Sequence, residues 1–231
     1  MEYFNFPKEW INSRNIPKET LYKFLNADEK LKKLFIENVE RIRLEYLITH
    51  NNSNIEKYVS ENEKYEEIQF YVIEFRKEGI EEKIANLFHG IIPKSTIIEL
   101  KFNDTWKISG AIKKVTNSRL KLEEVITTPW ITNENKEFIE SLSCRNFNST
   151  NLKTFYNSMI DRFNAVKSSK ILGVFSLNDI EKNKEKSEKI ASIQLEIESL
   201  KKELNKEKHN FKRAEIIKKI KKIKKLNEEL K

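Results

Sequence analysis

Two apolar series near the end of the chain recur at alternating spacings of three and four. Ile190, Ile193, Ile197, Leu200 and Leu204 form the first; Ile216, Ile220, Ile223, Asn227 and Leu230 form the second. Such a seam is stable only when a helix lays it against another helix. His209-Asn210 interrupts the pattern, leaving two arms of about 20 residues, each roughly 30 Å long as a helix. Two equal arms around a short break predict an antiparallel helical hairpin. One continuous dimeric coiled coil is the rival arrangement. Asn227 is the polar member of the second seam, a device that fixes register at some cost in stability. Ser176-Leu177-Asn178-Asp179 predicts a capping-box-like start to the first arm.

The same segment holds the chain's excess charge. Glu181–Lys231 carries 17 Lys and Arg against 10 Asp and Glu, a net of +7 out of +8 for all 231 residues. Residues 1–180 are therefore nearly neutral. Net charge bears on association rather than on fold. Only 8 of the 44 basic residues are Arg, and Lys, Ile and Asn are abundant. An AT-rich genome produces that bias whatever the function, but it does not place the excess in the tail.

The chain predicts an α+β body over residues 1–170 and a basic hairpin over residues 177–231. Pro17 fits the first turn of a helix starting near Lys18. Asn26-Ala27-Asp28 interrupts it, and Glu29–Asn38 makes a second helix. The period then drops to two: Ile42, Leu44, Tyr46 and Ile48 alternate with Arg41, Arg43 and Glu45, giving a strand over Val39–Thr49. Glu67–Arg76 is apolar on both faces around Phe70–Ile73, as expected of a central strand covered on both sides. Gly79 ends it. Ile80, Ile84, Leu87, Phe88 and Ile91 predict a helix closing at Gly90 and Pro93. Strands follow over Ser95–Phe102 and Thr105–Val115, joined by the Asn103-Asp104 turn, and a further strand over Leu120–Thr127. A helix restarts at Ser149. The order α-α-β-β-α-β-β-β-α, with short turns between strands, argues for an antiparallel or mixed sheet of about five strands. Ser168–Ser176 reads as the hinge.

Several function classes are disfavoured. No apolar run approaches the roughly 18 residues of a membrane span, and the N-terminus lacks the pattern of a signal peptide. One cysteine, Cys144, allows no internal disulfide and no thiolate zinc cluster. A cytoplasmic protein is the expectation. The four isolated glycines form no phosphate-cradling loop. His50, His89 and His209 have no metal-ligand spacing and read as loop or surface residues; Trp10, Trp106 and Trp130 read as packing. No cofactor and no metal is expected.

Two patterns point to chemistry. Lys218, Lys219, Lys221, Lys222, Lys224 and Lys225 leave only Ile220 and Ile223 between them for the seam. Their repulsion weakens an isolated helix, and a polyanion would relieve it while releasing counterions. Without interleaved arginines or aromatics, contact would be with phosphates rather than bases. Separately, Glu99-Leu100-Lys101 on a strand, with Glu67 or Glu74 upstream, matches the carboxylate-and-lysine kit of metal-dependent nucleases. The upstream Asp of that kit is missing.

An ordered set of segments carries a resemblance. It comprises Asn15-Ile16-Pro17-Lys18, the Val39–Tyr46 strand, Glu67-Ile68-Gln69, Ile92-Pro93, and Asn151-Leu152 before Tyr156. It ends with Leu200-Lys201-Lys202-Glu203-Leu204, Lys206-Glu207-Lys208 and Asn210-Phe211. Together these resemble the bacterial family catalogued as domain of unknown function 4391, across nearly the whole chain. The chain departs from it at Leu44, where a tryptophan is expected. The family brings no established activity and no catalytic residues. Its genes often lie beside helicases and DNA methyltransferases of restriction-like, anti-phage clusters.

The resemblance implies a non-catalytic accessory subunit of a DNA-processing or defence system. Its body would dock a helicase or methyltransferase, and its tail would touch DNA phosphates or the partner. A metal-dependent nuclease using Glu99 and Lys101 is the alternative. A third reading is a structural homodimer whose tails form an intermolecular coiled coil.

Overall fold

Six strands form one mixed sheet in the computed structural model, which describes residues 1–116 and 119–230. The chain divides into two units, Met1–Asn164 and Ala165–Lys231.

The first unit opens with two 3-10 turns, Glu2–Phe4 and Lys8–Trp10, before β1 (Ile11–Asn15). Helices α1 (Lys18–Leu25) and α2 (Glu29–Asn38) lead into β2 (Val39–Thr49). The expected interruption between the helices has a local cause. Asn26 adopts the left-handed conformation at φ 45° and ends α1. Asp28 then caps α2, its side chain accepting from the Leu31 nitrogen at 2.7 Å. A short α3 (His50–Ser53) and a two-residue hairpin, β3 (Tyr58–Val59) with β4 (Lys64–Tyr65), precede β5 (Glu67–Phe75). Then come α4 (Glu81–Ile91), β6 (Ser95–Phe102), β7 (Thr105–Thr116), β8 (Arg119–Thr127), α5 (Lys136–Ser141) and α6 (Leu152–Leu172).

The sheet order is β1-β2-β5-β6-β7-β8. Neighbours are antiparallel except β5 and β6, which run parallel because α4 carries the chain back between them. The sheet is thus mixed, with one strand more than the pattern predicted. The additional strand, β1, reads Ile-Asn-Ser-Arg-Asn and shows no alternation; its pairing with β2 is what makes it a strand. The hairpin turn before β7 falls where expected, with Asn103 at φ 51°.

Register places the two faces. Leu44, Tyr71 and Ile98 lie side by side, and with Ile42, Ile73, Leu100, Leu21, Phe35, Ile84 and Phe88 they form a buried cluster. Helices α1, α2 and α4 therefore cover this face. The opposite face presents Phe70, Ile97, Gly110 and Ile126. The N-terminal aromatics lie here: Phe4 and Phe6 both meet the Phe70 ring edge-on, at 5.5 and 4.9 Å. Gly110 supplies the close approach for α6: a Cβ there would fall 2.5 Å from Ile160 Cδ1 and 3.3 Å from Phe163. β5 is thus covered on both sides, as its unbroken apolar run required.

In the second unit, α7 (Ile180–Lys206) and α8 (Asn210–Leu230) pack on one another. Ile193, Ile197 and Leu200 meet Ile216 and Ile220, with Leu204 and Ile223 alongside. The seam is used within the chain, so the pair is the hairpin rather than the continuous coil. The break falls at residues 207–209, where Arg213 Nη1 donates to the carbonyls of Leu204 and Glu207 at 2.7 and 2.8 Å and caps the end of α7. Two local expectations are corrected. Asp179 precedes α7 in the left-handed conformation and its side chain caps nothing, so the capping box is not formed. Residues 168–172 belong to α6, and the chain leaves the helix at Gly173, φ +79°, so most of the expected hinge is helix.

Candidate functional site

The six predicted lysines all lie on α8 and all are exposed. Lys218, Lys221, Lys222 and Lys225 stand at i, i+3, i+4 and i+7, which puts them on one helical face. That face lies opposite Ile216, Ile220 and Ile223, which are turned to α7. The row spans roughly 10 Å at 1.5 Å per residue. Lys219 and Lys224 flank the seam, and Lys219 reaches across to Glu196 of α7 at 3.6 Å. The outward four make no ion pair among the described residues. Their ammonium groups are arranged along a line, exposed, and free to meet a chain of negative charges.

The carboxylates of the nuclease reading are each held by other partners. Glu99 is buried; its carboxylate accepts from the Tyr3 hydroxyl and lies 3.3 Å from the Met1 nitrogen. Tyr3 also stacks on Trp106, ring centre to ring centre at 4.5 Å. Burial, with the Glu99 charge adding to it, pushes the Tyr3 phenol well above its ordinary range, so it remains the proton donor. Lys101 stays exposed, in register with Glu74, whose carboxylate is 3.3 Å from Arg43. Glu67 takes the Gln69 amide at 2.6 Å. It sits five residues along β5 from Val72, the register partner of Glu99, a distance of about 16 Å. Among the described residues no group of three acidic, His or Cys side chains is placed to hold a metal ion.

A polar cluster that the sequence reading missed is buried beneath α4. His89 was expected at the surface. Its ring instead lies 2.7 Å from Thr96 Oγ1 and 3.0 Å from Ser109 Oγ. Thr127 extends the chain, its hydroxyl donating to Ser109 at 3.1 Å. Lys113 enters from the same side of β7. Its ammonium donates to the carbonyls of Ile92 and Lys94, both at 2.6 Å, and fixes the α4–β6 connection. Desolvation lowers the Lys113 pKa to about 7. The His89 pKa is held well below its ordinary value, first by burial and then by the nearby Lys113, so the ring is neutral. One ring nitrogen then donates and the other accepts. The available signal was His89 one turn beyond Ala85 on the apolar side of a helix. For Lys113 there was no signal, because a lysine on a strand flanked by Lys114 reads as solvent-facing.

The other candidates are structural. His50 Nδ1 lies 3.3 Å from the Ile55 carbonyl, and His209 is exposed beside the hairpin turn. Cys144 is half-buried with its thiol toward the Asn5 carbonyl at 3.2 Å, and burial raises its pKa, which makes it a poor nucleophile. Trp10 is buried, and Trp130 lies under the Lys107 ammonium at 4.8 Å. No helix among the described residues is long and apolar enough to cross a membrane.

Fold and surface together define an α+β protein with a lysine-faced helical hairpin. The family model described as domain of unknown function (DUF4391) matches residues 4–226, and the chain belongs to that family. The searches of curated proteins and of solved structures found no match.

Proposed function

We propose that this protein is a non-catalytic accessory subunit of a bacterial DNA-processing or anti-phage system. Its hairpin contacts nucleic-acid phosphates, and its α+β unit docks a helicase or DNA methyltransferase. The observation that carries the phosphate contact is the outward row Lys218, Lys221, Lys222 and Lys225. Four exposed ammonium groups stand on one face, with no carboxylate among the described residues neutralising them. A lysine row without arginine forks or aromatic platforms reads charge and spacing, not sequence. The partner reading rests on the resemblance to a family encoded beside such enzymes. The burial of Glu99 under Tyr3 speaks against the nuclease alternative, because a metal ligand must be reachable.

The test is binding of the full chain to labelled duplex DNA across a salt series, beside a variant with all four outward lysines changed to Gln. Each phosphate neutralised contributes a slope of about −0.9 in log affinity against log salt. The variant is expected to bind more weakly, with a slope shallower by about 0.9 for each lysine engaged. Equal binding by both proteins would remove the hairpin from the contact. Pull-down of an adjacent-gene helicase or methyltransferase by the four-Gln variant would then support the docking half alone.

A further inference from the structure

A cleft of about 370 Å³ opens between α1 and α4 on the first unit. Register explains why two of its lining residues, Arg14 and Tyr71, share one side of the sheet. Arg14 of β1, Leu44 of β2, Tyr71 of β5 and Ile98 of β6 lie in one row across the sheet, all on the face that the helices cover. Leu21 and Phe88 line the bottom, Ile92-Pro93 makes one wall, and Phe24, 69% exposed, makes the other. The volume falls in the range of small-molecule sites, roughly 300–1,000 Å³, which are mostly apolar with a few placed polar groups.

The polar groups at the mouth are unequally satisfied. The Tyr71 hydroxyl donates to Gln69 at 2.6 Å, and the Gln69 amide donates to Glu67 at 2.6 Å. Lys94 is shared between Glu66 and Glu67 at 3.6 and 3.7 Å. Arg14, by contrast, is exposed and forms no ion pair among the described residues. Its guanidinium is near enough to act on the Tyr71 phenol, which burial raises to about 12 while Arg14 pulls it down. The wall is held in place from behind, because Lys113 binds the carbonyls of Ile92 and Lys94. A preformed apolar cleft with an unspent guanidinium at its rim selects a particular chemistry.

We propose that this cleft binds a small apolar molecule bearing one anionic group, a carboxylate, sulfonate or phosphate. The apolar body lies against Leu21, Phe24 and Phe88, and the anion meets Arg14. Guanidinium matches such oxyanions with two parallel donors. The site is independent of the hairpin and of the function proposed for it.

The test uses 8-anilinonaphthalene-1-sulfonate as the anionic probe and N-phenyl-1-naphthylamine as its neutral counterpart, titrated by fluorescence into the full chain. One saturable site is expected for the sulfonate. Arg14→Gln and Phe24→Ala, both at exposed positions that the fold does not depend on, are each expected to weaken it about tenfold. The neutral probe is expected to bind more weakly and to be indifferent to Arg14→Gln. The four-Gln hairpin variant is expected to bind the sulfonate like the unaltered protein. The proposal is overturned by sulfonate binding that is unchanged in Arg14→Gln and Phe24→Ala, that follows the hairpin lysines, or that never saturates. Equal affinity for the two probes would overturn it as well.

Discussion

The Tyr156 hydroxyl accepts from the Ala111 backbone nitrogen at 2.9 Å, and it reaches the Thr96 carbonyl at the same distance. The β6–β7 ladder ends one residue earlier, at Ile97 and Gly110. A side chain from α6 therefore takes over the hydrogen bonding of the next rung, where strand meets strand no longer. Tyr156→Phe strands a buried N–H and a buried carbonyl, and is expected to cost about 1–3 kcal/mol. Urea unfolding of the two proteins would show it; a difference below a few tenths would mean that water replaces the hydroxyl.

Lys113 gives stability a pH dependence. Its folded pKa, about 7, is below the unfolded value, so from about pH 7 upward to the ordinary lysine range the unfolded chain holds the extra proton. Stability from this group therefore rises with pH through that window and is lost as pH falls through 7. The slope is at most about 1.4 kcal/mol per pH unit. His89, on the other side of Thr96, is already neutral there and adds nothing to the window. Denaturant midpoints at pH 7 and pH 9 are expected to separate in the unaltered protein and to converge in Lys113→Met.

Gly110→Ala tests the contact between α6 and the sheet. The added methyl meets the Ile160 and Ile97 side chains and the Phe163 ring in a filled interior. Overpacking of this kind costs about 1–3 kcal/mol. Pairing it with Ile160→Val, which withdraws the nearest atom, is expected to recover part of the loss in a double-mutant cycle.

Asn227 occupies the hairpin seam with its Oδ1 buried and without a hydrogen-bond partner among the described residues. Asn227→Leu removes that unsatisfied acceptor and extends the apolar contact. Thermal unfolding followed by helical circular dichroism is expected to show a gain of about 1 kcal/mol. Analytical ultracentrifugation checks the other role of such a residue: if Asn227 enforces the intramolecular pairing, the variant will also begin to self-associate.

Much of the secondary structure is written locally. The period-two stretch Val39–Thr49 and the helical spacing of Ile84, Leu87, Phe88 and Ile91 appear as β2 and α4, and the two arms of the tail appear as α7 and α8. Each of these elements buries one face, and burial of one face imposes a period that neighbouring residues display. The lysine row on α8 was legible for the same reason, since helical spacing alone puts Lys218, Lys221, Lys222 and Lys225 opposite the seam. What the sequence by itself determined, then, is whatever depends on a single element and its own period.

The tertiary structure decided the rest. β1 is a strand because β2 offers it a ladder, not because of its own residues. The parallel pairing of β5 and β6, and with it the common row of Arg14, Tyr71 and Ile98, depends on where α4 returns the chain. The partners of His89, Lys113 and Glu99 lie 7, 20, 21 and 96 positions away. A polar side chain is tolerated in the interior only when such distant groups satisfy it. Nothing in the residues around a lysine or a glutamate announces which carbonyl or hydroxyl the fold will bring to it.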